Sequence, residues 1–516
     1  MFNNLNYTKS AFLSILLVCG LSCTKNFDKI NVPSNQITAN NVDASLLGQE
    51  FAYAQYYGLL GGIYQAGENL YSDNYAQYFA TTQPTFTSDQ YLEQGTSIQR
   101  MWDSYYSNPA TQLLFVEKYT TNNNMPLANA IAKVWKVEMY HRMSDYFGPI
   151  IYSQFGNEKS SVAYDSQADI YHSFFKTLDT AVLILKQNSG KNAFGGNDQI
   201  YSGNADKWYR FANSLRLRLA MRIVYVEPAL AQLEAEKAIA AGVIVNNSDN
   251  ANVISTVNSI NWLSSLTYIS EFRMSASIQS VLTGYNDPRI SEYFGQAATG
   301  GGFKGVRNGL PAVEKGGTLN NISSFVSTKY LPIASGGANL PNRILSASEV
   351  AFLKAEGALR GWNMGGTDVD LYNTGIRLSL SERTTASSTQ IDNYVNSTSK
   401  PVAISDKWNT PAMTDIPVLY QVSGSFEKKL EQIITQKWIA LYPDGWEAWS
   451  ERRRTGYPKG YPVINSLNTF VPKDSIMRRI TFSSSEISNN NAAVLEARKL
   501  LNGPDQNNTR LWWDAK

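Results

Sequence analysis

Two cysteines, two histidines and 43 acids are the residues of this chain through which thiol, metal or acid–base chemistry could run. Cys19 and Cys23 both precede Thr24, so everything after them lacks a thiol nucleophile and cannot form an internal disulfide. His141 and His172 share no metal-ligand spacing of the HExxH kind, which leaves no signature of a zinc centre and no catalytic or metal residue to nominate. Glycosidase chemistry needs two carboxylates at a defined separation in space, and among 43 acids some pair can always be named, so the acids alone carry no signal. Neither a phosphate-binding Gly loop followed by Lys-Ser/Thr nor a nucleophile elbow occurs. A net charge of +2 gives no basic stripe for nucleic acid.

Three charged motifs read as structure. Asp145, in Met143-Ser-Asp-Tyr-Phe-Gly-Pro149, lies where an acid near a helix stop bonds local backbone N–H groups. The basic stretch from Asp206 to Arg218 reads as a packed amphipathic helix with paired arginines. In Gly445-Trp-Glu447-Ala-Trp-Ser-Glu451-Arg452-Arg453-Arg454, the two acids at helical spacing can neutralise the arginine triplet, which predicts a buried ion-pair network. Asp287-Pro-Arg289 reads as a turn with an Asp–Arg pair.

The cysteines belong to an address. Lys9 precedes the apolar run from Ala11 to Cys19, too short to span a bilayer, and the run ends Gly20-Leu21-Ser22-Cys23. Residues 1–22 are expected to be a signal peptide and Cys23 the acylated first residue, because small Ser22 precedes it whereas bulky Val18 precedes Cys19. Residues 23–40 are polar and turn-prone and read as a tether.

Residues 41–516 form the body, where apolar residues recur at helical spacing. Asp43 can cap a first helix that contains the aromatic stretch Phe51–Tyr57, and Pro126 opens a second that stops at Gly148-Pro149. Further helices are predicted over 204–225, 349–362 and 427–441. The segments 243–345 and 381–425, rich in Gly, Ser, Thr and Asn, read as irregular insertions, and loops on a rigid scaffold are where binding usually resides.

The order of several motifs along the chain adds a resemblance. They are Phe27-Asp-Lys-Ile-Asn-Val-Pro33, Ser144-Asp-Tyr-Phe-Gly-Pro-Ile150, Tyr164-Asp165 leading to Ile170-Tyr171, and Ile200-Tyr201 through Arg222. Glu349 to Gly361, Ile434-Thr-Gln-Lys-Trp438 through Arg453-Arg-Thr-Gly-Tyr-Pro458, Pro472 to Arg479 with Asn489-Asn490, and Leu511-Trp-Trp-Asp514 follow. From the lipobox to the C-terminus the chain resembles the SusD/RagB family, in its SusD-like branch. The resemblance implies a mostly α fold of tetratricopeptide-like helix pairs under a loop-rich variable half. It also implies a lipid-anchored outer-membrane protein at the cell surface, with no cofactor and no catalysis. Such a protein captures oligosaccharide, or peptide in the RagB type, and delivers it to a TonB-dependent SusC-like transporter. A helical surface glycosidase is the alternative of a different class.

The family motifs transfer no ligand residues, so ligand candidates come from local chemistry. Sugar rings need flat aromatic faces, and their hydroxyls need amides or acids. Tyr71, Asp73, Asn74, Tyr75, Gln77 and Tyr78 offer that mixture, and Asn261, Trp262 and Tyr268 offer a second cluster. Each of these aromatics is open to a second description as core packing. The near-neutral charge points to a neutral oligosaccharide.

Overall fold

The computed structural model describes residues 44–516 apart from Ser160 and Asn258; the predicted signal peptide, Cys23 and the tether lie outside the described residues. Helices dominate, and their caps are written in the sequence. Helix α1 (Ala44–Tyr57) leads through α2 (Gly95–Ser107) and α3 (Pro109–Asn122) to α4 (Pro126–Phe147), where Pro126 occupies the first turn and Gly148, at φ 85°, ends the helix. Then come α5 (Gln167–Gln187), α6 (Ala205–Arg222) and α7 (Pro228–Ala241). The Asn204 side chain accepts from the Lys207 N–H at 2.9 Å to cap α6.

Two two-stranded antiparallel sheets order the segment 243–345, one joining it to residues 79–81 and the other pairing its own two ends. Strand β1 (Phe79–Thr81) pairs with β3 (Phe272–Met274), and β2 (Ala251–Val253) pairs with β4 (Asn342–Leu345). Between β2 and β4 lie β3 and the short helices α8 (Ser264–Tyr268), α9 (Ala276–Gly284), α10 (Ile290–Tyr293) and α11 (Gly317–Ile322). The scaffold resumes with α12 (Ala347–Leu359) and α13 (Asp368–Arg383). The segment 381–425 is more regular than its composition predicts: α13 runs into it, and α14 (Ser388–Val395) forms inside it because Ser387 and Gln390 make a capping box. Helices α15 (Phe426–Leu441) and α16 (Gly445–Thr455), then α17 (Ser484–Asn489) and α18 (Asn491–Lys499), complete the order. The neighbours α4 and α5, α6 and α7, and α12 and α13 pack as helix pairs, and α6 joins successive pairs by packing on α5 and α12.

Large aromatics fill the space between pairs, many with their polar atom hydrogen-bonded. Trp446 stacks on Tyr146 with ring centroids 4.0 Å apart, and the Trp135 indole N–H donates to the Ala54 carbonyl at 2.9 Å. Such ring pairs add about 0.5–1.5 kcal/mol beyond the area they bury. Asp145 accepts from the Trp513 indole N–H at 2.8 Å and from the Tyr171 hydroxyl at 2.6 Å, so it is a structural acid.

A chain of buried ion pairs crosses the same interfaces. Arg218 of α6 reaches Glu138 of α4 at 3.3 Å and Glu349 of α12 at 2.8 Å. Arg222 binds Glu447 and, at 2.9 Å, Glu451, while Lys437 of α15 sits 3.2 Å from both acids. Arg454 closes the chain at 2.6 Å from Glu356 and from Glu451. Burial works against ionising Glu451, but Arg454 and Lys437 outweigh it and hold the carboxyl well below its usual range. Of the arginine triplet only Arg454 is neutralised by acids; Arg452 donates to the Tyr75 carbonyl and Arg453 to the Asp145 and Arg478 carbonyls, and the Asp287–Arg289 pair is closed at 2.6 Å.

Candidate ligand-binding groove

The first predicted cluster lies in the interior. A π-helix over Gln65–Asp73 brings Tyr71, Asp73, Asn74, Tyr75, Gln77 and Tyr78 in among α4, α15 and α16, each at 2% exposure or less. The Tyr71 hydroxyl donates to the Gln94 carbonyl at 2.9 Å, and Tyr75 packs against Trp449 at 5.1 Å. Tyr78 stacks on Trp438 at 5.4 Å. Asp73 accepts from the Tyr64 hydroxyl at 2.8 Å, the Asn74 amide donates to the Asn69 carbonyl at 3.0 Å, and the Gln77 amide donates to the Tyr461 carbonyl at 2.7 Å. No ring face in this set is open to a sugar, and these polar contacts are internal, so the six residues are core.

The second cluster is at a surface. The Asn261 amide donates to the Leu340 carbonyl at 3.0 Å, and the Trp262 N–H donates to the Asn342 side chain at 2.8 Å, which fixes the turn before α8. Trp262 keeps 8% of its surface exposed and forms one wall of a groove of about 310 Å³. The other walls include Tyr56, Gly61, Ile63, Gln65, Arg100 and Asn261. Tyr268 ends α8, and its side chain lies outside what the structure describes.

A second depression, about 140 Å³, adjoins this groove through Gly62 and Ile63 and adds Tyr53, Tyr57, Ser104 and Asn108. The rings form a series. Tyr53 and Tyr57, one turn apart on α1, stack at 4.2 Å; Tyr56 meets Tyr57 edge-on at 5.0 Å and lies 6.4 Å from Trp262; Tyr64 backs Trp262 at 6.4 Å. The two glycines make this possible. A β-carbon on Gly61 would strike the Trp262 indole, and one on Gly62 would strike the Tyr57 ring. Leu60, just before them, is held at φ 59°, a strained conformation for a branched residue and a mark of a turn whose shape is imposed by its surroundings.

Chemically the groove is a neutral, hydrogen-bonding surface. Burial and the adjacent Tyr57 push the Tyr56 hydroxyl up to about 12, so it stays protonated and donates to the Ile260 carbonyl at 3.2 Å. Gln65, Ser104 and Asn108 supply amides and a hydroxyl and Arg100 a cation, while the Asn261 amide is spent on the backbone of Leu340, Pro341 and Leu263. No carboxylate is among the described residues lining either depression. Tyr53, Tyr57 and the glycine pair were not among the predicted ligand residues; the Tyr53–Tyr57 spacing followed by Gly61-Gly62 was the available signal.

A scaffold of stacked helix pairs with an aromatic groove on its loop-rich side is the architecture of a helical binding platform. The chain belongs to the SusD-like family, the SusD and RagB outer membrane lipoproteins, whose model matches residues 25–514. Among solved structures it is similar to a chitin-binding SusD homologue from Flavobacterium johnsoniae, with 35% identity, 91% of this chain and 98% of that one covered, and a TM-score of 0.84. A SusD homologue from Bacteroides thetaiotaomicron (33% identity, 92% and 100% covered, TM-score 0.82) and one from Bacteroides uniformis (32% identity, 92% and 100% covered, TM-score 0.83) are also similar. No curated protein matches the chain. Among the described residues no helix is long and apolar enough to cross a membrane.

Proposed function

We propose that this protein sits at the cell surface, anchored through acylated Cys23, where it captures a neutral oligosaccharide without turnover and passes it to a TonB-dependent SusC-like transporter. The observation that carries the proposal is the groove: Tyr57 and Trp262 on its walls beside amides, with no carboxylate pair for hydrolysis among the described lining residues. Stacking on such faces suits the apolar sides of sugar rings. The chitin-binding homologue makes a chitin fragment the first ligand to try. Two adjoining depressions suit consecutive sugar units better than one. A lipid-tethered protein cannot move cargo inward by itself, which is why a barrel partner belongs to the proposal.

Extraction of the native protein in mild detergent tests the anchored, partnered part. A large outer-membrane transporter is expected to co-purify, and Cys23→Ala is expected to lose membrane retention or accumulate as precursor. A free monomer under several gentle conditions, or normal retention of Cys23→Ala, would contradict it.

A further inference from the structure

Against Trp262 lies a small, partly open cavity of about 20 Å³, room for one small occupant. Its lining includes Trp262, Arg343, Arg383, Tyr330, Arg142 and Asp444. Three guanidinium N–H groups of this lining, Arg343 Nε and Nη1 and Arg383 Nε, are buried with no acceptor among the described residues. Buried polar groups are nearly always hydrogen-bonded, and leaving a charged donor unmatched is costly, so three on two adjoining arginines call for an occupant.

The charges around the cavity give that occupant its sign. Arg142 is matched by Asp444 at 2.9 Å and Glu138 at 2.9 Å, and Arg343, its side chain 9% exposed, pairs with Glu382 through one guanidinium nitrogen. Arg383 donates to the Tyr442 carbonyl at 2.8 Å and has no carboxylate within ion-pair distance among the described residues. In the same lining, burial with Asp73 and Asp444 alongside pushes the Glu68 carboxyl well above the usual carboxylate range, which reduces the negative charge there. Burial and the neighbouring Arg383 push the Arg343 guanidinium below its usual range, whereas Tyr330, Tyr293 and Glu382 outweigh burial and raise that of Arg383.

We infer that this cavity binds one small monovalent anion of halide size between Arg343 and Arg383, and that the anion braces Trp262. The anion site stands on the cavity alone; the bracing rests on the proposed sugar-binding role of the groove.

Crystals grown in sodium bromide test the site by anomalous scattering at the bromine edge. A bromide peak within hydrogen-bond reach of Arg343 and Arg383 is expected, and its loss in Arg343→Gln. An ordered water with no bromide, or a peak that survives Arg343→Gln and so marks an adventitious ion only, overturns the site. Thermal melts need no variant: at equal ionic strength the wild type is expected to melt at higher temperature in chloride than in gluconate, an anion too large for the cavity, and equal melting overturns the site. For the bracing, affinity for a chitin trisaccharide is expected to fall severalfold in gluconate. Bromide bound with trisaccharide affinity unchanged overturns the bracing alone. Bromide bound with no trisaccharide affinity in either salt overturns the bracing by way of the sugar-binding role, and leaves the ion site standing.

Discussion

The indole of Trp262 lies where a β-carbon of residue 61 would be, and only because that residue is glycine can the ring sit against bare backbone. Gly61→Ala therefore displaces the platform while leaving the helix pairs untouched. Oligosaccharide affinity is expected to fall at least tenfold, a change of ~1.4 kcal/mol, with some loss of thermal stability because the added β-carbon also meets the Tyr56 carbonyl. Fluorescence titration and a melt on the same sample check it; unchanged affinity would show that Trp262 does not set the platform.

Asp73 gives stability a pH dependence whose sign is fixed. Burial lifts its carboxyl from 3.8 to about 7, against the hydrogen bonds from Tyr64 and Asn69 that favour the charged form. A carboxyl raised in the folded state stabilises the fold fully below about pH 4, and that contribution is lost as pH rises through about 7. Asp73→Asn removes the titration, so the variant gains on the wild type by several kcal/mol across that interval, at ~1.4 kcal/mol per unit of pKa. Urea unfolding at several pH values measures the difference; a constant difference would mean that Asp73 titrates normally.

Arg454 is the sole cation that binds both Glu356 and Glu451 within the described residues, at 2.6 Å each and with its own side chain fully buried. Arg454→Met removes the cation shared by the two acids, leaving Glu356 to Arg360 and Glu451 to Arg222 and Lys437, and is expected to cost about 3 kcal/mol. Lys499, whose pair with Glu496 is exposed (69% and 71%), is the control: Lys499→Ala is expected to cost less than about 1 kcal/mol. Denaturant midpoints compare the two, and equal costs would mean that the buried chain of ions does not hold the helices.

The helical half of the molecule was legible because its signals are local. Pro126 and Asn204 each act within a turn of themselves and open helices where the sequence predicts them, whereas Glu447 and Glu451 take Arg222 and Lys437 from other helices and only Arg454 of the triplet. The ligand cluster was misplaced because burial is decided at long range. The partners that seal Gln77 and Tyr78 in the core, Tyr461 and Trp438, are 384 and 360 residues away in sequence, so amides beside aromatics looked the same open or closed. Tyr53 and Tyr57 were read as part of the first helix, but its spacing alone did not say which of its faces would stay open. Trp262, beside Asn261, lies on the groove wall, on a turn that the Asn342 side chain holds.

Titration calorimetry with neutral oligosaccharides, a chitin fragment among them, and with peptides tests the central claim most directly. The wild type is expected to bind a neutral oligosaccharide; Trp262→Ala and Tyr57→Ala should each weaken it at least tenfold, because a few contacts dominate such sites. Tyr75→Ala should lower the melting temperature yet leave the affinity of the folded protein unchanged. Peptide binding with no oligosaccharide signal, or oligosaccharide affinity indifferent to both Trp262→Ala and Tyr57→Ala, would contradict the account.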